Sequence, residues 1–110
     1  MQVDLVTDEM LDDIAQVLAE EAPVRSIILY GSRAAGSYAP DSDIDLLVVE
    51  AGTPDKRNEQ RRLRAMLPPD LPVWVDLWVM GEEQFQEEKD VIGGLAYPAE
   101  KYGRVLYEKP

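Results

Sequence analysis

The sequence predicts an α+β fold, a small mixed β-sheet with helices packed against it, as one domain spanning residues 1–110. Three observations carry that expectation. Short apolar runs of strand length alternate with stretches whose apolar residues recur at helical spacing. A Gly31-Ser32 pair closes the first apolar run, and after ten residues Asp43-Ile44-Asp45 opens the next. If these two motifs share one site, the C-terminal end of the first strand meets the N-terminal start of the second. The two strands are then antiparallel or steeply crossed, since a doubly wound parallel sheet would separate them.

Each element follows in order. Thr7 or Asp8 caps a first helix, with Met10, Leu11, Ile14, Val17 and Leu18 at helical spacing, and Pro23 ends it. Ser26 to Tyr30 is almost continuously apolar, as a central strand covered on both faces requires. Arg33 to Ser42 is too small and polar for a core; a helical turn near Ala34 precedes a turn at Pro40-Asp41-Ser42. Ile44 to Val49 forms the second strand. Thr53-Pro54 supplies an N-cap and a first-turn proline for a helix that Pro68-Pro69 terminates near Leu67. Val73 to Met80 is the third strand, with Val73, Val75, Leu77 and Val79 on one face and Trp74, Asp76, Trp78 and Met80 on the other. Both tryptophans are expected to pack in a core or interface, although either has a face on which a nucleobase can stack. Gly81 breaks the strand. A short exposed helix over Glu82–Lys89, a helical turn around Val91–Tyr97 and a final apolar segment, Val105-Leu106-Tyr107, complete the chain.

Composition removes several kinds of chemistry. The chain has no cysteine and no histidine, which excludes disulfides, thiolate metal sites, Cys nucleophiles, zinc hydrolase centres and Ser-His-Asp triads. A bound metal takes oxygen ligands, and a general base is a carboxylate, an amine or a phenol. The net charge of −11, from 22 acids and 11 bases, opposes direct binding of long nucleic acid, which needs a basic footprint. It suits a basic protein partner instead. Lys56, Arg57, Arg61, Arg62 and Arg64 are a local exception. They read as a solvated helix face paired with Asp55 and Glu59, or as a contact for a partner or for phosphates. No basic targeting segment opens the sequence and no apolar run has membrane-spanning length, so a cytoplasmic location with no membrane contact is expected.

The carboxylates are the most informative feature. Asp43 and Asp45, two residues apart on an extended chain, present both charges to one face and repel unless a cation lies between them. Mg²⁺ with oxygen ligands is the usual solution. A Gly-Ser turn beside it offers backbone N–H groups and a hydroxyl to a phosphate. Metal and phosphate together suggest nucleotide chemistry. Asp76, inside an apolar strand, is costly to desolvate unless it binds metal or pairs with a base such as Arg25 or Arg33.

This order of Gly-Ser, ten residues, Asp-x-Asp and a later strand carboxylate resembles the signature of the nucleotidyltransferase superfamily that includes DNA polymerase beta. It is similar in particular to the minimal nucleotidyltransferase (MNT) family, encoded beside HEPN-domain toxins. The segment from Val91 to Tyr107 also resembles the ending of those proteins. The resemblance implies the nucleotidyltransferase fold, a mixed sheet backed by helices on one side. It implies that Asp43, Asp45 and Asp76 are catalytic and hold two Mg²⁺ ions, and that Gly31, Ser32 and Arg33 bind the phosphates of ATP, with Ser37 nearby. The implied reaction is transfer of AMP from ATP to a tyrosine of a partner HEPN ribonuclease toxin, which neutralises it. With 110 residues there is no second helical domain to carry the acceptor, so another chain presents it. Two alternatives stay open: a non-catalytic binding antitoxin with a vestigial nucleotide site, and a small-molecule nucleotidyltransferase working with a separate helical subunit.

Overall fold

The structure is a computed structural model and describes residues 3–110. Helix α1, Asp8–Ala19, is capped by Thr7, whose hydroxyl accepts a hydrogen bond from the Met10 N–H at 3.1 Å. Leu11, Ile14, Ala15 and Leu18 form its buried stripe. Strand β1, Val24–Tyr30, runs directly into α2, Gly31–Ala35. Strand β2, Ile44–Glu50, is followed by α3, Lys56–Arg64, then β3, Val75–Gly81, and α4, Glu82–Glu88. Helix α5, Ala96–Tyr102, and strand β4, Arg104–Glu108, follow.

The four strands form one sheet in the order β3-β2-β1-β4. β1 pairs antiparallel with both β2 and β4, whereas β2 and β3 are parallel. The sheet is therefore mixed, as expected. The central strands β1 and β2 carry the most continuous apolar runs because both their faces are covered. On one face α1 and α3 pack Ile14, Leu18 and Leu63 against Ile27, Leu29, Leu46, Val48, Leu77 and Val79.

Helices also cover part of the other face, so the backing is not one-sided. Ile28, Leu47, Val49 and Met80 have the opposite strand parity and would be left in water. Phe85 of α4 and Ala96 and Ala99 of α5 cover them. The cover stops short of the end of the sheet where β2 and β3 begin.

Local boundaries move for identifiable reasons. α2 starts at Gly31 rather than near Ala34, because Gly31 at φ +74° turns the chain out of β1 at once. The cap of α3 is Asp55, not Thr53: its carboxylate accepts from the Asn58 N–H at 3.3 Å and from the Asn58 side-chain amide at 2.8 Å. α3 ends at Arg64, and Ala65 to Leu67 continue as turns. The helical turn expected over Val91–Tyr97 lies later, as α5. Pro98 sits in its first turn, where a missing N–H leaves no helical bond unmade. Among the described residues no helix is long and apolar enough to cross a membrane.

Candidate active site at the uncovered end of the sheet

Strand register brings the motif residues together. Tyr30, the last residue of β1, lies opposite Asp45 on β2, and Asp45 lies beside Asp76 on β3. All three share the face on which α4 and α5 pack, Tyr30 against the edge of that second core cluster and the two aspartates beyond it, with strands spaced about 4.8 Å apart. Asp43 precedes β2 with the same parity as Asp45 and is exposed, while Asp45 and Asp76 are half-buried.

Gly31 closes the group from the β1 side. A Cβ there would sit 2.3 Å from Asp45 Oδ2 and 3.1 Å from Asp45 Cγ. A side chain there would push the Asp45 carboxylate aside, and its φ of +74° is one that side chains rarely adopt. Ser32 follows, half-buried in the first turn of α2, and its carbonyl accepts from the Ser37 N–H at 3.1 Å.

The electrostatics of the cluster are uncompensated. Among the described residues Asp43, Asp45 and Asp76 take part in no ion pair and accept no side-chain hydrogen bond. Burial, and then the negative charges of Asp76 and Asp43, push the Asp45 carboxyl above its ordinary range. Burial, followed by the charges of Asp45 and Asp76, pushes the Tyr30 phenol up as well, so it stays protonated at neutral pH. Among the described residues no three acidic side chains close into a preformed metal cage, as expected of carboxylates that repel one another. The donor set nevertheless fits a hard divalent cation: carboxylate oxygens on one face, no internal counter-charge, and half-exposed access from solvent.

The structure does not bring Arg33 into this group. Its buried guanidinium points the other way: Nε donates to the Ser42 carbonyl at 2.9 Å, and Nη2 donates to the Pro40 carbonyl at 3.2 Å. Nη1 donates to both carboxylate oxygens of Asp4, at 3.0 and 3.2 Å, and the ring of Tyr38 lies 4.8 Å away. The Val6 N–H first, and then Arg33, hold the Asp4 carboxyl below its usual range. Arg33 thus ties down the segment between Gly31-Ser32 and Asp43. Arg25 and Arg33 leave Asp76 without a partner.

The basic cluster on α3 packs on the opposite face. Arg62 pairs with Glu59 at 2.6 Å and with Glu21, and Arg64 lies over the Trp74 ring at 4.2 Å. The tryptophans are not in the core: Trp74 is 59% exposed and Trp78 44%. Packing in a core fails for both, because Trp78 lies on the edge strand β3 and Trp74 immediately precedes it. Trp78 lies beside Asp76 on the face that strand alternation gives it. Tyr30 is the neighbour of the site that sequence reasoning did not single out; its signal was parity, two residues from Ile28, which faces the same side of the sheet.

Comparison with known proteins agrees with this geometry. Residues 11–95 match the model of the nucleotidyltransferase domain family. Among solved structures, a nucleotidyltransferase from Sulfolobus solfataricus is similar at a TM-score of 0.64 and 22% identity, covering 92% of this chain and 79% of that one. A toxin–antitoxin complex with AMP-PNP is similar at 0.64 and 22%, covering 94% and 75%. A variant of the toxin–antitoxin MntA-HpeT, with two aspartates replaced by glutamates, is similar at 0.61 and 19%, again covering 94% and 75%. No curated protein sequence matches significantly. With the family model spanning most of its length and the fold shared with these structures, the chain belongs to the nucleotidyltransferase domain family.

Proposed function

We propose that this chain is a Mg²⁺-dependent antitoxin that transfers AMP from ATP to a tyrosine hydroxyl of a partner HEPN-type ribonuclease toxin. The observation that carries this reading is the register of Asp45 beside Asp76, with Gly31 in contact with Asp45. Three uncompensated carboxylates are a burden on stability and a requirement for metal-dependent phosphoryl chemistry. The likeness to toxin–antitoxin structures, one with AMP-PNP, supports a toxin as the partner and an adenine nucleotide as the donor.

Asp43 and Asp45 would hold two Mg²⁺ ions, with Asp76 on the second. When bound, such a pair neutralises the triphosphate and lowers the pKa of the acceptor hydroxyl. Gly31 lets the backbone approach a phosphate, and Ser32 offers its hydroxyl to the β/γ end. Arg33 keeps the intervening segment, and hence the spacing of the two halves, fixed. The tyrosine oxygen attacks the α-phosphorus and a new P–O bond forms. The bond from the α-phosphorus to the bridging oxygen breaks, and pyrophosphate leaves. Asp76 would take the hydroxyl proton.

Intact-mass spectrometry of a partner co-expressed with this chain tests the reading. Additions of AMP mass are expected with the native chain and none with Asp43→Asn. An unchanged partner mass in the presence of ATP and Mg²⁺, with its nuclease still blocked, would show neutralisation by binding alone.

A further inference from the structure

We infer that Trp78 is the docking platform for the acceptor, an exposed aromatic that receives the tyrosine-bearing segment of the partner chain. The inference rests on the proposed transfer reaction and adds where its second substrate enters.

The sheet order sets a direction across the site. Gly31 and Ser32, the phosphate grip, lie at the end of β1, Asp43 and Asp45 on β2, and Asp76 beyond them on β3. In nucleotidyl transfer the attacking and leaving oxygens lie roughly in line through the phosphorus. With pyrophosphate leaving toward β1, the acceptor arrives from the side of β3. The nucleoside hangs from an equatorial oxygen and lies off that line.

β3 is the edge of the sheet on that side, and Trp78 is on the face of the carboxylates, about 6.6 Å along the strand from Asp76. Its 44% exposure leaves a large aromatic surface in water beside a charged site, the kind of residue that dominates protein–protein contacts once covered. The edge backbone offers less. The Arg64 guanidinium donates to the Val75 carbonyl at 2.7 Å and the Gln60 amide donates to the Leu77 carbonyl at 3.1 Å. These contacts block addition of another strand, so a partner meets this edge through side chains.

Trp74→Phe leaves Trp78 as the sole tryptophan, because the chain has two. Its emission is recorded with Mg²⁺ and a non-hydrolysable ATP analogue, then during titration with a capped tyrosine peptide or its serine counterpart. Calorimetry follows nucleotide binding in parallel. The expected result is a saturable change with the tyrosine peptide and none with the analogue alone. With ATP, Trp78→Ala is expected to raise the KM for the peptide about tenfold while the KM for ATP stays unchanged, and Trp78→Phe to retain most activity. A change produced by the analogue alone would make Trp78 a nucleobase platform and overturn the inference. Bound nucleotide with no response to peptide and normal kinetics in Trp78→Ala would overturn it too. Absence of nucleotide binding would instead overturn the reaction on which it rests.

Discussion

The two ends of the sheet hold acidic clusters of opposite design. At one end Asp45 lies beside Asp76, with Asp43 just before β2 on the same parity, and among the described residues no base pairs with any of them. At the other end of β2, Glu50 is 1% exposed beneath α3, with Glu59, Glu21 and Arg62 around it. There Arg62 holds Glu59 by Nε at 2.9 Å and Nη2 at 2.6 Å and also binds Glu21. Burial, followed by hydrogen bonding with Glu59, pushes the Glu50 carboxyl up to about 7. The arginine lowers Glu59 correspondingly. Acids serving the fold are neutralised from within, by an arginine or a retained proton. Acids left uncompensated on an accessible face have no such internal partner, and under the proposed reading a divalent cation would supply it.

The largest effect expected from breaking this contrast is on chemistry. Asp43→Asn or Asp45→Asn is expected to lower AMP transfer by about three to four decades, the several kcal/mol that metal charge supplies. The same changes are expected to leave the fold intact, with about 0.5 kcal/mol gained as like charges are separated. Initial rates alongside thermal melts check both.

Gly31→Ala comes next. A Cβ within 2.3 Å of the Asp45 carboxylate, at a φ of +74°, is expected to cost about 3 kcal/mol of stability. Urea unfolding of this variant and of Gly36→Ala separates the clash from the strain, since Gly36 shares the positive φ with nothing within 4 Å of its Cβ position.

The buried cluster gives a pH signature. Folded Glu50 keeps its proton to about 7, whereas an unfolded glutamate loses it near 4.3. The folded state binds more protons between these values, so stability falls as pH rises through that window and levels off above it. Glu50→Gln, which keeps the neutral shape, is expected to flatten the slope and to gain about 2 kcal/mol at pH 8 relative to pH 5. Denaturant midpoints across pH measure it. The smallest effect sharpens the other side: Mg²⁺ at about ten times its Kd is expected to add about 1.4 kcal/mol. That increment should vanish in Asp45→Asn and persist in Glu50→Gln.

The site was more legible in the sequence than its surroundings. The parity of Asp43, Asp45 and Asp76 and the antiparallel turn-back from Gly31 are local patterns, and the register follows from them. Arg33 was misleading because its partner, Asp4, lies 29 residues away, beyond any local pattern. Glu50 lies one residue beyond the strand that the sequence marks out, and the placement of α3 buries it. The cover by α4 and α5 was missed for the same reason: which face a short helix takes depends on apolar residues exposed elsewhere.

Arg33 also gives the ten residues between Gly31-Ser32 and Asp43 a mechanical meaning. Surface segments usually absorb insertions cheaply, since closure entropy grows slowly with length. This one is strung between a helix that begins at Gly31 and a strand that begins at Ile44, and a single guanidinium bridges Pro40, Ser42 and Asp4. Its length is a ruler set by the reach of one side chain. An extra residue after Ser37 would have to bulge outward or pull Asp43 out of step with Asp76, so the spacing in this motif is a dimension of the machine as well as a label for it.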